Sequence, residues 1–264
     1  MNRLWVKYRF KQWAERFTAG ILHPLAVKWQ NRYPRLFRFV ILRFDPHHFR
    51  GLPLTLLLIG VLLNAFILSE VAEEIREVSR LRAIDRSISL YFFEHRVDVL
   101  AHWIYRFTRL CSSPTVIGVL CVIVLLLWKN NRFSALIAIL SSLTASSLTV
   151  FAGKVYYKIP RPPGMAWYEE FSYSFPSGHA TIAMAYYGLL FYLLLLYVKS
   201  PGFKYIVFIS GVMFIFSMGF SRVYLGVHYL SDVLSGFAIG FIWLLFSITL
   251  LGWLDFRKEI SSQK

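Results

Sequence analysis

Residues 233–254 read VLSGFAIGFIWLLFSITLLGWL, an unbroken run without a Lys, Arg, Asp or Glu. As a helix this run would extend about 33 Å, and the hydrocarbon core of a bilayer is ~30 Å thick. It reads as a membrane span. Outward from it lie five further apolar runs, at about 52–68, 114–128, 133–152, 180–198 and 205–220, all free of charge. The runs at 114–128 and 205–220 are short and would borrow flanking residues. The expected fold class is all-α: a six-span transmembrane helical bundle preceded by a basic amphipathic N-terminal extension.

Composition supports this. The 264 residues are 57% hydrophobic, 18% aromatic and only 16% charged, with a mean hydropathy of +0.53. Soluble domains carry about 25% charged residues. So oily a chain is neither a disordered segment nor a nucleic-acid-binding tail, and its net charge of +15 must be placed elsewhere. Much of it is N-terminal: the first fifty residues hold 11 Lys and Arg against only Glu15 and Asp45. Val6, Phe10, Trp13 and Phe17 share one helical stripe, with Arg9 and Arg16 on another side. Leu36, Phe37, Val40, Ile41 and Phe44 make a second stripe. Basic helices with an aromatic face lie in the membrane interface and attract anionic lipid. No cleavable signal peptide is expected, because this segment has no uninterrupted apolar core.

The expected domains are an interfacial extension at 1–50, a six-span domain at 51–255 and a short tail at 256–264. Residues 70–110 are expected to form short amphipathic helices on the membrane surface, with Ile84, Ile88 and Tyr91 at helical spacing. Cys111 and Cys121, ten apart on one helix, would lie roughly 15 Å from each other, too far for a disulfide. Both read as small apolar residues.

Six spans would put both termini on one side. That side collects 18 Lys and Arg against four Asp and Glu; the other has 11 against ten. Cytoplasmic loops gather Lys and Arg. The termini are therefore expected in the cytoplasm of a plasma (inner) membrane, and the loops at 69–113, 153–179 and 221–232 on the outer, periplasmic face.

Two outer loops carry the chemistry. The first runs from Lys154 through Lys158, Pro160, Arg161, Pro162 and Pro163 to Pro176-Ser177-Gly178-His179. The second reads Ser221-Arg222, then His228 and Asp232. Lys154, Arg161 and Arg222 are three cations suited to a doubly charged phosphate. Ser177 and the Gly178 amide add neutral donors at a helix start. His228 and Asp232, four apart, share a helical face, so the carboxylate can hold one ring nitrogen and free the other. His179 can serve as a proton donor. A phosphate cluster with two histidines points to phosphoryl transfer. The residues alone leave open which histidine attacks.

The pattern Lys-x6-Arg-Pro, Pro-Ser-Gly-His and Ser-Arg-x5-His-x3-Asp, complete here from Lys154 to Asp232, resembles the type-2 phosphatidic acid phosphatase superfamily. The resemblance implies that His228 attacks phosphorus, that Asp232 orients it, and that His179 protonates the leaving group and then activates water. It implies that Lys154, Arg161, Ser177, Gly178 and Arg222 bind phosphoryl oxygens, without a metal or other cofactor. The implied activity is hydrolysis of a lipid phosphate or diphosphate, such as a polyprenyl diphosphate, phosphatidylglycerol phosphate or phosphatidic acid. Lipid A dephosphorylation and lipid-to-lipid phosphotransfer are alternatives at the same site. The partners expected are the lipid substrate and the bilayer, with no nucleic acid. Zinc held by His179, His228 and Asp232 is disfavoured by the three cations. Lys158 reads as a surface charge, Trp167 to Glu170 as an interfacial loop. His47, His48, His95 and His102 have no matching constellation.

Overall fold

The computed structural model describes residues 32–33, 52–76 and 80–261. The chain separates into two compact units, Met1–Ile59 and Gly60–Lys264, and the second carries all three motifs. The amphipathic stripes expected before residue 50 lie outside the described residues.

Every element among the described residues is helical. In chain order they are α1 (Leu52–Arg76), α2 (Arg80–Glu94), α3 (Asp98–Thr108), α4 (Ser113–Lys129), α5 (Phe133–Tyr157), α6 (Gly178–Tyr197), α7 (Pro201–Tyr224) and α8 (Leu230–Ser261). Their ends follow local chemistry. Pro114 occupies the first turn of α4, and Pro201 opens α7, where the missing N–H costs nothing. α5 stops where Lys158 turns left-handed, φ 52°, just before Ile159-Pro160. A π-turn at Ala183–Tyr187 interrupts α6.

This is an integral membrane protein. Phe133–Tyr157, Gly178–Tyr197, Pro201–Tyr224 and Leu230–Asp255 are long and apolar enough to cross a bilayer. Asp98–Cys111 and Ser113–Lys129 qualify only as a pair bent by 46°, giving four spans, or five if that pair is one. All six apolar runs are helical, but two fall short of a span by themselves. The 17 residues of α4 extend roughly 25 Å, and the apolar part of α1, Leu58–Val71, is shorter still.

The core joins α4, α5, α6 and α8 through Val116, Ala138, Ile139, Tyr186, Leu189 and Leu251. Small residues let the helices approach, and Ser142 on α5 donates to the Ala185 carbonyl at 3.1 Å. Large apolar side chains such as Leu125, Phe151, Phe216 and Leu234 point outward, as a lipid-facing surface requires. Both cysteines are free; Cys111 is buried against Ala183 and Met218, and Cys121 is exposed. Of the amphipathic stripe expected before α3, Ile88 packs under Val223 and Val233, while Ile84 and Tyr91 are exposed.

Candidate active site

The three motifs meet where α5, α6, α7 and α8 end on one face of the bundle. Two glycines make this possible. Gly226, at φ +69°, turns the chain out of α7, and a Cβ there would stand 2.2 Å from the Met165 carbonyl oxygen. Gly236 lets α8 pass beneath the second motif; its Cβ would lie 2.6 Å from the Ser177 carbonyl oxygen. The Ser177 amide donates to the Asp232 carbonyl at 3.0 Å, tying the start of α6 to the start of α8.

His228 sits in the short turn between α7 and α8 and is buried. Its Nδ1 lies 3.3 Å from Asp232 Oδ2 and 3.3 Å from Ser174 Oγ. Its Nε2 lies 3.2 Å from Arg161 Nη1. A guanidinium cannot accept a hydrogen bond, so Nε2 is the acceptor and the ring proton resides on Nδ1, facing Asp232. Burial, then the charges of Arg161, Arg222, Lys154 and His179, hold His228 well below its ordinary pKa of 6.5. The imidazole is thus neutral, with its Nε2 lone pair turned toward Arg161.

Asp232 is fully buried in the first turn of α8. Its Oδ2 accepts from Ser174 Oγ and from the Tyr229 amide at 2.9 Å; its Oδ1 has no partner among the described residues. A carboxylate at a helix N-terminus is stabilised by the exposed amides there.

Arg161 reaches in from the loop after α5. Its Nε donates to the Ser172 carbonyl at 2.8 Å and its Nη1 to the Val227 carbonyl at 2.5 Å. Burial pulls this guanidinium below its ordinary pKa, and Glu170 opposes the shift. Lys154, in the last turn of α5, donates to Ser172 Oγ at 3.2 Å and to the Tyr173 carbonyl. Arg222, in the last turn of α7, is wholly buried, with Nη1 donating to Tyr168 Oη at 2.5 Å. Its Nε has no partner among the described residues, nor has the buried Ser177 Oγ. Gly178 opens α6, so its amide lacks an intrahelical acceptor. His179, half-buried, lies within electrostatic range of Arg222, Arg161 and Lys154. Lys154, Arg161, Arg222, His228 and Asp232 are thus linked through Ser172 and Glu170, and the Ser177-Gly178-His179 segment joins them where the Ser177 amide meets the Asp232 carbonyl. Lys158, beside them in sequence, is exposed.

Two residues of the loop expected at the interface, Tyr168 and Glu170, contact the cluster. Tyr168 lies under the Arg222 guanidinium, 5.6 Å from ring centre to Cζ. Glu170 bridges Arg222 Nη2 at 3.0 Å and Arg161 Nη2 at 3.4 Å. Ser172, Ser174, Tyr168 and Glu170 carry no motif spacing, and single residues of these types are common in loops. Among the described residues no three His, Cys, Asp or Glu side chains gather as metal ligands.

A groove of about 520 Å³ is lined by Val61, Ala65, Leu148, Ala152, Gly153 and Trp243 among others. It reaches Gly153, the residue before Lys154.

The PAP2 superfamily model matches residues 135–255, which include every motif position. Over residues 135–255 the chain is similar to the PAP2 superfamily. Phosphatidylglycerophosphatase B of Bacillus subtilis (strain 168) is 42% identical over 82 residues, which is 30% of this chain. The match spans only 40% of that relative's length. The crystal structure of a transmembrane PAP2-type phosphatidylglycerolphosphate phosphatase from Bacillus subtilis superposes with a TM-score of 0.63 at 26% identity. It covers 77% of this chain and 96% of its own. Aquifex aeolicus LpxE shares the fold at a TM-score of 0.50 and 22% identity, over 66% of this chain and 98% of its own. The region of similarity begins inside α5 and contains the spans that carry the cluster.

Proposed function

We propose that the chain is a membrane lipid phosphatase that works through a phosphohistidine on the outer face of the membrane. The observation that supports this most is the placement of His228: held by Asp232 at Nδ1, with Nε2 3.2 Å from the Arg161 guanidinium and burial keeping the ring neutral. Such a nitrogen is a nucleophile poised beside an anion site.

In the proposed reaction the lipid phosphate displaces Glu170 and lies between Lys154, Arg161 and Arg222, with Ser177 Oγ and the Gly178 amide as further donors. His228 Nε2 forms a bond to phosphorus as the bond to the leaving oxygen breaks. His179 gives that oxygen its proton. Asp232 stabilises the imidazolium that results. His179 then takes a proton from water, whose oxygen attacks phosphorus and breaks the P–N bond. Phosphate leaves, and both histidines return to their first state. The cations offset charge on the transferring phosphoryl group, the role that metals play in other phosphatases.

The apolar groove that includes Gly153, the residue before Lys154, offers space for an acyl or prenyl chain. Six spans, counting α1 and α4, would place both termini in the cytoplasm and the site outside, in keeping with the Lys and Arg distribution. Phosphatidylglycerol phosphate is the substrate we place first, on the names of the relatives. A polyprenyl diphosphate or phosphatidic acid offers the same terminal phosphate. Purified protein in detergent, with chelator present, should release phosphate from one of these lipids. No release from any of them, or full release by His228→Ala, overturns the reading.

A further inference from the structure

Asp85 lies on α2, far from the three motifs in sequence, and it is buried. A buried carboxylate is costly unless it accepts several hydrogen bonds. Here its Oδ1 accepts from the Ser231 amide at 3.0 Å and its Oδ2 from Ser231 Oγ. The Leu230 amide contributes too. These donors belong to the first turn of α8, whose next residue is Asp232.

The contact is built into the packing of α2. Ile88 and Phe92, three and seven positions on, share the face of Asp85. They pack against Val223 at the end of α7 and Val233 at the start of α8. Phe92 also meets Tyr224, with ring centres 5.9 Å apart. The turn that carries His228 is thereby held from two sides. Asp232 accepts the Tyr229 amide from within, and Asp85 accepts Ser231 from α2. The three cations, by contrast, stand on α5, on the loop after it and on α7, and Asp85 bonds none of them.

We propose that Asp85 is a positioning residue for phosphoryl transfer: it fixes the first turn of α8 so that Asp232 holds His228 with Nε2 aimed at the phosphorus. The proposal rests on the reading of His228 as nucleophile. Misplacing a reacting group by about 1 Å can cost roughly 100-fold in rate. Asp85 makes no hydrogen bond to the cations, so ground-state binding should change less than the transfer step. Asp85 therefore acts on kcat more than on KM.

The test compares full-length parent, Asp85→Ala, Asp85→Asn and Ser231→Ala in detergent, with a lipid phosphate that the parent hydrolyses. Asp85→Ala should lower kcat about 10- to 100-fold with KM within about twofold. Asp85→Asn keeps the shape and one acceptor, and should recover most of the loss. Vanadate, which takes the five-coordinate geometry of the transfer step, should inhibit Asp85→Ala more weakly by the same factor as kcat/KM. Inorganic phosphate, a ground-state ligand, should inhibit parent and variant alike. A general loss of stability would not separate these two anions. Unchanged kcat, a rise in KM alone, or a fall in kcat with vanadate inhibition intact overturns the proposal. If Asp85→Ala fails to fold, the same comparisons in Asp85→Asn and Ser231→Ala decide it, with smaller factors expected. His228→Ala runs beside them. If it keeps activity, the nucleophile assignment fails, whatever the Asp85 variants do.

Discussion

The carboxylate of Glu170 lies 3.0 Å from the buried guanidinium of Arg222 and also reaches Arg161 at 3.4 Å. Two of the three cations that suit a phosphate are thus already paired with an internal anion. A substrate phosphoryl group must displace that carboxylate or share the cations with it. Hydrogen bonds to charged partners contribute about 1.5–3 kcal/mol each, and part of this opposes binding. Glu170→Gln removes the competing charge while keeping one acceptor. It should lower KM for the lipid phosphate, and the half-inhibitory concentration of inorganic phosphate, by roughly tenfold. Steady-state kinetics check this, with kcat expected within about threefold of the parent. A large fall in kcat would instead make Glu170 part of the chemistry.

The two histidines should separate by leaving group. His228→Ala should lose phosphate release and covalent labelling together, because the P–N bond cannot form. His179→Ala should lose about 100- to 10,000-fold with a lipid alcohol as leaving group. With an aryl phosphate, whose leaving oxygen needs no proton, labelling of His228 should survive and hydrolysis of the labelled protein should stall. Acid-labile phosphate on the quenched protein is the measurement. Labelled His228→Ala would refute the assignment.

Acid should destabilise the fold through His228. Its pKa is well below 6.5 when folded and returns to about 6.5 when unfolded. Between those values the unfolded chain binds a proton that the folded chain does not, so stability falls as pH drops below about 6.5. Melting temperatures from pH 7 to pH 5 should decline less steeply in His228→Gln than in the parent. Parallel curves would show that His228 is not held neutral.

Gly226→Ala should damage fold and activity together. The position has φ +69°, and the new Cβ would meet the Met165 carbonyl oxygen at 2.2 Å. Relief requires moving either the turn before His228 or the loop that carries Tyr168 and Glu170. A loss of at least about 2 kcal/mol is expected, read as a lower melting temperature with kcat reduced. Gly164→Ala is the matched control: it too has positive φ, at 70°, but nothing stands within 4 Å of its Cβ. The smaller loss should be there.

Much of this molecule is legible in its primary structure. Charge-free runs specify helices because a bilayer leaves backbone amides no other partners. Fixed spacings also carried the site: Lys154 and Arg161 flank the end of one helix, and His228 and Asp232 lie one helical turn apart. Such signals are local, and local geometry can be read from residue intervals. The span count was less certain. Whether α4 crosses alone or with α3 depends on a 46° bend, and a hydropathy run contains no angle.

What only the tertiary structure decided are the contacts across long chain separations. Arg161 meets His228 Nε2, which assigns the ring proton to Nδ1. Glu170 folds back onto two cations, although its neighbours read as an ordinary interfacial loop. Asp85 reaches Ser231 over 146 residues from a helix that carries no motif. An isolated Glu or Asp in a polar stretch has no periodicity or spacing to mark it. Its partner is set by how helices pack, and that packing follows from the shapes of many side chains together.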